Sequence, residues 1–464
     1  MSDQPNGEPE ASKAAAAPSA HRKHRTHRGQ PRPLRDIGRG LRVLGPGLIT
    51  GAADDDPSGI TTYSQAGATW GFGQLWLALY MLPLVIAVQE MCGRIGLVTG
   101  RGVAGVVRRH YRREVLLGAV VLVTIANTIN VGADLGAMAA STRLLVPGVP
   151  GAALVIGFAL VVLLLEVFVS YRQYARILKV LTLSLLAYVF AGLLVLPDWR
   201  AALVATLIPD VQFSVPFLLL VVAVLGTTIS PYLFFWQASE EVEEQVTHHR
   251  HRSDEHGAHR LEQARRLELR RLRMDTALGL IASVATAWFI MLTTAATLHA
   301  HGVTSIATAA QAASALEPLV RTFPFAGTLA RALFALGIVG TGLLAVPVLA
   351  GSAAYAVAES FNWREGLYRP LWQARGFYGV IAVATLVGLL LNFLGIDPIQ
   401  ALVATAVING IAAVPLLVLL LLVANNRAIM GAHVNGWLAN AVGGLATLAM
   451  AAAAVAVVVS LWWH

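Results

Sequence analysis

The chain has 464 residues, of which 56% are hydrophobic and 13% are charged. A soluble domain averages about 25% charged residues, so this composition excludes an ordinary soluble protein and indicates a membrane protein that crosses the bilayer several times. The single cysteine, Cys92, excludes an internal disulfide, and the net charge of +8 is spread over connectors between apolar runs, which argues against a nucleic-acid-binding surface.

Residues 1–42 form the first compositional zone of the chain. They are rich in Ala, Pro, Ser, His and Arg and show no apolar periodicity. This composition predicts a disordered, basic cytoplasmic tail. No apolar segment follows Met1 in the way that a cleaved secretory signal requires.

Eleven apolar segments follow, each long enough for a spanning helix of about 20 residues. If the chain crosses the membrane eleven times, 30 of the 34 Lys and Arg residues lie on the side of the membrane that holds the tail. They lie in the tail, in the connectors on that side or next to those connectors. Because cytoplasmic connectors carry the excess of positive charge, this pattern predicts an inner-membrane protein with a cytoplasmic N-terminus and an extracytoplasmic C-terminus. The predicted spans, numbered 1 to 11, are 43–67, 72–96, 115–142, 151–170, 176–197, 214–239, 275–299, 326–352, 374–394, 398–424 and 435–463.

Spans 1–5 and 6–10 form two halves of similar length, residues 43–197 and 198–434, and residues 435–464 hold span 11. Because each half has an odd number of spans, the second half enters the membrane from the opposite side. The one long charged connector, 240–274, is predicted as a cytoplasmic loop within the second half. This layout is typical of an inverted-repeat transporter whose substrate site lies where the halves meet.

Span 1 is interrupted at its middle. Pro57 lacks an amide donor and Gly59 permits unusual backbone angles, so a regular helix is not expected there. Irregular backbone at membrane depth is tolerated only where it lines a cavity. Asp54, Asp55 and Asp56 precede the proline, and a charge at the bilayer centre costs about 2.5–3.5 kcal/mol, which indicates a functional role. We expect the carbonyl of Ala53 and at least one of these carboxylates to bind a cation.

Span 6 carries the corresponding break at Ser230 and Pro231. Thr227, Thr228 and Ser230 offer hydroxyls, and the unwound backbone offers carbonyls, which are donors that suit Mg, Ca or Mn. Alternatively, each hydroxyl bonds back to its own helix. Breaks at matching positions of the two halves predict a substrate site between them.

Span 3 contains a polar stripe. Asn127, Asn130 and Asp134 follow helical spacing and lie on one face. The stripe lines a water or proton path, or it supplies hydrogen bonds between helices. The sequence leaves both interpretations open.

Six segments, in order along the chain, carry a resemblance to a known family. They are Gly45-Pro46-Gly47, Asp56-Pro57-Ser58-Gly59, Gln65-Ala66-Gly67-Ala68, Arg94 to Gly100, Ala133-Asp134-Leu135 and Asn426 to Gly431. They resemble the NRAMP family of divalent metal transporters, over nearly all of spans 1–11. The resemblance implies an all-α membrane protein with a LeuT-type 5+5 inverted-repeat fold, 11 transmembrane helices with spans 1 and 6 unwound, and alternating access.

The chain departs from the family pattern at the metal site. The family's span 1 aspartate is retained as Asp56, but its asparagine position is Gly59 and its span 6 methionine position is Ser230. Loss of the thioether favours hard ions, and Gly59 leaves room for a partly hydrated ion such as Mg. A divergent group of NRAMP-related magnesium transporters is similar in this respect. Tyr232 replaces a family histidine and Ala137 a glutamate, which argues against family-type proton coupling.

We therefore predict a transporter, not an enzyme, that moves a hard divalent cation, Mg or Mn, across a lipid bilayer. The ion is the substrate, and no cofactor, nucleic acid or obligate protein partner is expected. The predicted metal site comprises Asp56, Ser230, Ala53, Thr227 and Gly59. The predicted secondary ion or proton path comprises Asp54, Asp55, Tyr232, Asp134, Asn130 and Asn127.

Two alternatives keep the membrane architecture and change the function. In the first, the cavity binds a small organic solute, and Tyr232 with Phe234, Phe235 and Trp236 lines the pocket. In the second, the chain is a non-transporting receptor whose partner docks on 240–274.

Overall fold

The computed structural model describes residues 46–169, 185–195, 198–249 and 258–462, and these residues form helices and turns without a β-strand. The predicted tail, residues 1–42, lies outside the described residues. The helices on predicted spans 2, 3, 4, 7, 8, 9, 10 and 11 are Trp76–Thr99, Arg113–Arg143, Gly151–Phe168, Ala258–Thr297, Ala326–Phe361, Arg375–Leu391, Pro398–Asn425 and Trp437–Trp462. On span 5 the described helix is Leu186–Leu194. Shorter helices in the connectors are Val103–His110, Trp199–Leu207, Ala309–Ser314, Glu317–Val320 and Arg427–Met430, with single 3₁₀ turns at Gly71–Gln74, His299–His301, Asn392–Leu394 and Gly431–His433.

Within the described ranges, nine helices are long and apolar enough to cross a membrane. Large apolar side chains project outward from the peripheral helices: Leu160 is 56% exposed, Leu390 62% and Leu448 69%. Helices that are apolar on their outer faces as well as their inner faces are those that lipid surrounds. The chain is therefore a multi-pass membrane protein.

Spans 1 and 6 are each built from two helices, as predicted. Half 1a is Pro46–Asp54 and half 1b is Pro57–Trp70, while half 6a is Val215–Thr228 and half 6b is Pro231–His249. Each second half starts at a proline, because the first position of a helix needs no amide donor. The two breaks are thus fixed by local backbone chemistry.

The broken spans are held by close backbone contacts with their neighbours. A Cβ atom on Gly51 of half 1a would overlap the backbone of Gly279 in span 7, and one on Gly226 of half 6a would overlap the backbone of Gly410 in span 10. Residues without side chains permit this approach between membrane helices. Half 1b also packs against spans 3, 8 and 10. The breaks are consequently enclosed by unbroken helices.

The connector predicted over 240–274 is more helical than expected. Half 6b continues to His249, and the helix of span 7 begins at Ala258 rather than at residue 275. Its first part is rich in Leu, Glu, Gln, Arg and Ala, which are strong helix formers, and contains charge pairs at helical spacing such as Glu262 and Arg266. Helix propensity therefore extends span 7 beyond its apolar segment.

Candidate functional site

Asp56 is the anchor of the region where the two breaks meet. It is 1% exposed and caps half 1b: its Oδ1 accepts hydrogen bonds from the Gly59 amide at 2.6 Å and from the Ser58 hydroxyl at 2.8 Å. Its Oδ2 accepts one from Asn130 Nδ2 of span 3 at 3.1 Å. An ionised carboxylate has about four lone-pair positions, so the carboxylate is held in place and retains a position for a cation.

Half 6a reaches this carboxylate through Thr227. The Ser58 and Thr227 hydroxyls lie 3.2 Å apart and share a hydrogen bond. A Cβ atom on Gly59 would lie 3.2 Å from the Asp54 carbonyl oxygen and 3.3 Å from Thr227 Oγ1. Tyr63 Cε2 would also lie at 3.3 Å, so two oxygen atoms and an aromatic ring bound the space beside Gly59 in this conformation, and a partly hydrated ion would have to separate them.

The two predicted carbonyl ligands each accept a hydrogen bond from a hydroxyl. Tyr232 donates to the Ala53 carbonyl at 2.9 Å. Ser230 Oγ lies 2.7 Å from the Thr227 carbonyl oxygen and 2.6 Å from that of Gly226, and its single hydrogen serves one of them at a time. A carbonyl oxygen has two lone pairs, so each keeps one for another partner. The Ser230 hydroxyl bonds back to its own helix, which is the alternative that the sequence left open for the hydroxyls of span 6. Its oxygen still faces the break.

Asp54 and Asp55 turn toward span 7. Ser283 lies 2.7 Å from Asp54 Oδ2 and 3.2 Å from Asp55 Oδ1, and its single hydroxyl hydrogen serves one carboxylate at a time. Asp54 Oδ1 is buried without a hydrogen-bond partner among the described residues. The side chains of Asp54 and Asp55 therefore lie together on the side of the break that faces span 7.

The polar stripe of span 3 makes hydrogen bonds to two other spans. Asn127 donates to the Leu349 carbonyl of span 8 at 3.0 Å and so connects two helices, whereas Asn130 contacts Asp56. Asp134 is fully buried, and within the described part of the chain neither of its carboxylate oxygens has a hydrogen-bond partner. The stripe thus reaches the site at Asn130 and extends away from it at Asn127.

The site is enclosed in this conformation. Ala53, Asp56, Thr227 and Ser230 are each at most 1% exposed. Halves 1a and 6b are joined by a hydrogen bond from the Thr50 hydroxyl to the Gln237 side-chain oxygen. Halves 1b and 6a are joined where the Tyr63 and Thr228 hydroxyls lie 2.7 Å apart. Side-chain contacts therefore close the break toward both ends of the broken helices.

Two residues that contact the predicted site residues were not predicted from the sequence. Ser58 donates to Asp56, and its place two residues after an N-cap aspartate signals such a contact. Ser283 has no such signal, because a serine in a spanning helix commonly bonds to its own backbone.

Comparison with known proteins places these features in context. The family model described as "Natural resistance-associated macrophage protein-like" matches residues 47–460. A divalent metal cation transporter MntH from Klebsiella pneumoniae (strain 342) is 26% identical over 397 residues, which are 85% of this chain and 88% of that protein. The transporter of the same name from Yersinia enterocolitica is 26% identical over 414 residues, or 88% and 92% of the two chains.

Solved structures show the same architecture. The manganese transporter of Eremococcus coleocola aligns with a TM-score of 0.71 at 17% identity, over 95% of this chain and 88% of that one. MhsT in complex with L-phenylalanine aligns with a TM-score of 0.59 at 11% identity, over 89% and 98% of the two chains. These likenesses confirm the LeuT-type fold, whereas the count of eleven spans stays a prediction.

Proposed function

This chain belongs to the natural resistance-associated macrophage protein-like (NRAMP) family, and we propose that it moves a divalent metal cation across the bilayer by alternating access. The relatives are metal transporters, which confirms the predictions that the chain is not an enzyme and that the metal is a substrate and not a cofactor. The observation that carries the proposal is the buried carboxylate of Asp56, held at the meeting point of the two helix breaks.

The ion is coordinated by oxygen. Asp56 supplies the carboxylate, Ala53 and Thr227 supply carbonyls, Ser230 supplies a hydroxyl, and retained waters complete the shell beside Gly59. This donor set is hard, so it suits Mg or Mn better than a soft metal. A manganese substrate is also in keeping with the Eremococcus coleocola transporter named above.

The second positive charge of the ion needs further compensation. Asp54 and Asp55 lie directly before Asp56 and share one hydroxyl donor, so they add negative charge or take up a proton. Asp134 is a further buried carboxylate, one helical turn after Asn130 in span 3. Tyr232, Asn130 and Asp134 belong to the secondary path in this proposal, and Asn127 serves the contact between helices.

Alternating access requires the two closures of the site to open in turn. The Thr50–Gln237 contact, together with the hydrogen bond of 2.7 Å from the Gly47 amide to Asp275, holds half 1a against half 6b and span 7. The Tyr63–Thr228 contact closes the other end. With the N-terminus in the cytoplasm of a bacterial inner membrane, half 1a forms the inner closure.

The aromatic cluster does not favour the alternative of an organic solute. The Tyr232 hydroxyl is bonded to the Ala53 carbonyl, and Phe234, Phe235 and Trp236 are each at most 2% exposed within the packed core. Rings packed in this way leave the oxygen donors, not an aromatic wall, facing the break. The alternative of a receptor without transport is tested by measuring metal flux, because a receptor would bind the ion without moving it across the bilayer.

The deciding experiment is Mn2+ uptake into proteoliposomes by wild type and by the Asp56→Asn variant. The substitution keeps the shape and removes the charge, so we expect uptake to fall by about 100-fold or more, since removing one partner of a buried charge pair costs about 3–5 kcal/mol. Competition by Mg2+ added in excess is expected for a hard-ion site.

Asp397→Asn is the matched control. Asp397 also precedes a proline and caps a helix: its side chain accepts hydrogen bonds from the amides of Ile399 at 2.9 Å and Gln400 at 3.2 Å. Unlike Asp56, it is exposed, at the start of span 10. Uptake should be unchanged in this variant. Wild-type uptake by the Asp56→Asn variant would contradict the proposed site.

A further inference from the structure

A groove on the outer surface of the protein is lined by two connectors that the charge pattern assigns to the same side of the membrane. It has a volume of about 460 Å³. Tyr111 follows the helix Val103–His110 between spans 2 and 3, and Asn425 and Asn426 lie at the end of span 10. The rest of the lining is apolar and comes from span 10: Val418, Leu421 and Leu422. The groove therefore lies at the end of the spans predicted to face the cytoplasm.

The apolar half of the groove faces lipid. Val418 is 44% exposed and Leu422 is 55% exposed, on the outer surface of span 10. At 1.5 Å per residue, the helix from Val418 to Asn425 covers about 10 Å. The headgroup layer on each side of a bilayer is about 5–8 Å deep, so a groove of this length extends from the headgroups into the hydrocarbon.

The polar half of the groove offers hydrogen-bond donors. Asn425 exchanges hydrogen bonds of 2.7 Å with Asn440 of span 11, which fixes its amide. Asn426 Oδ1 accepts the Ala428 amide at 2.9 Å. Neither Asn426 Nδ2 nor the Tyr111 hydroxyl makes a hydrogen bond to another described residue. Both groups can donate, so this end of the groove suits the oxygens of an anion.

Positive charge surrounds the polar half of the groove. Arg112 follows Tyr111 directly in the chain, and Arg427 follows Asn426. Consecutive Cα atoms are about 3.8 Å apart, which an arginine side chain can span. Residues 108–114 contain four arginines and one acidic residue, Glu114. Four exposed arginines here have guanidinium groups without a hydrogen bond or ion pair to any other described residue: Arg109, Arg112, Arg113 and Arg427.

We propose that this groove binds an anionic phospholipid of the cytoplasmic leaflet. The phosphate accepts hydrogen bonds from Tyr111, Asn426 and the adjacent arginines, whose planar groups match phosphate geometry, and an acyl chain lies along Val418 and Leu422. The cytoplasmic leaflet carries the anionic lipids, and basic pockets between spanning helices on that side hold their headgroups. This inference goes beyond the proposed function and does not depend on it.

The charges disfavour two other occupants of the groove. The tail, residues 1–42, contains nine basic and four acidic residues, so the arginines repel it. A second copy of the chain, related by a two-fold axis, would place the same arginines against each other. A molecule with a negative head and an apolar chain fits both halves of the groove.

The test titrates delipidated full-length protein in detergent with phosphatidylglycerol or phosphatidylcholine and counts bound lipid by native mass spectrometry. We expect phosphatidylglycerol to bind at least about 10-fold more tightly, because it carries a net negative charge. Removing two arginines in the Arg112→Gln/Arg427→Gln variant should weaken its binding by about 30-fold, or about 5-fold for each arginine. Arg321→Gln/Arg331→Gln is the matched control, because it removes two exposed arginines at the other end of the predicted spans.

A second pair of variants separates the groove from a diffuse cationic surface. Leu422→Trp keeps every arginine and fills the apolar half, so the tightly bound phosphatidylglycerol should be lost. Leu448→Trp makes the same change at a lipid-facing position of span 11, where Leu448 is 69% exposed, and should bind the lipid as wild type does. Asp56→Asn should also match wild type, so failure of the transport proposal leaves this one standing.

Equal affinity for the two lipids overturns the proposal, as does unchanged phosphatidylglycerol binding in either the double arginine variant or Leu422→Trp. If the arginine variant does not fold, Leu422→Trp still decides. A wild-type dimer that Leu422→Trp converts to a monomer would assign the groove to a second copy. Binding of phosphatidylglycerol only after removal of residues 1–42 would assign it to the tail. Each of these last two results also overturns the proposal.

Discussion

At the level of single residues, the Tyr232 hydroxyl donates to the Ala53 carbonyl, which is one of the oxygens that we propose as ligands of the ion. The two atoms are 2.9 Å apart, and Tyr232 is fully buried, so no water replaces this hydrogen bond from outside. A bound ion must share the carbonyl oxygen with the hydroxyl or displace it. The strength of this hydrogen bond therefore opposes metal binding.

The Tyr232→Phe variant tests this competition. Removing the hydroxyl frees a carbonyl lone pair that the ion can occupy, so we expect the Mn2+ dissociation constant to fall by about 2- to 10-fold. Tyr80→Phe is the matched control, because Tyr80 also donates to a backbone carbonyl, that of Leu207 at 3.0 Å, at an exposed place far along the chain. Weaker Mn2+ binding by Tyr232→Phe would instead make the hydroxyl part of the site.

The residue types in the sequence predicted which side chains belong to this site, but not which side chains from other helices contact them. Asp56 was predicted because an acidic residue before a proline, inside an apolar segment, has few structural explanations. The contact of Asp56 with Asn130 and that of Asp54 with Ser283 join residues 74 and 229 positions apart. Helical spacing places Asn130 on a face but does not say which helix that face meets.

At the level of elements, the broken spans depend on close helix crossings. Half 6a meets span 10 where Gly226 and Gly410 bring two backbones together, one residue before Thr227. The position of the Thr227 carbonyl at the site is therefore set by a contact made without side chains.

The Gly226→Ala variant tests the crossing. Its added Cβ atom would overlap the Ala406 carbonyl and the Gly410 backbone, so the two helices must separate, and overpacking of this kind costs about 1–3 kcal/mol. We expect a lower melting temperature in detergent and reduced Mn2+ uptake. Gly157→Ala in span 4, where a Cβ atom meets nothing within 4 Å, should leave both unchanged or raise the melting temperature slightly. Equal melting temperatures for the two variants would contradict the importance of the crossing.

At the level of the whole molecule, the distribution of Lys and Arg predicts how the chain is oriented in the membrane. Charge distribution predicts that the tail lies in the cytoplasm, and the inner closure by half 1a follows from that orientation. Since Cys92 is the single cysteine and is fully buried, engineered cysteines report the orientation without a competing signal.

The orientation prediction is checked by labelling intact cells with a membrane-impermeant maleimide. Ser305→Cys, at an exposed place in the connector before span 8, should react in intact cells. Arg112→Cys, exposed before span 3, should react only after permeabilisation. The opposite pattern would reverse the orientation and assign half 1a to the outer closure.

By itself, the sequence determined the helical membrane class and the two breaks, and it predicted Asp56 as the anchoring carboxylate. Each of these follows from chemistry within a few residues: apolar runs long enough to span, prolines without an amide donor, and a carboxylate that caps the next helix. The tertiary structure alone decided that Tyr232 bonds to Ala53 and that Ser283 serves two carboxylates. Those contacts depend on how distant helices pack, because the partner of a polar face is chosen by the geometry of the fold and not by its neighbours in the chain.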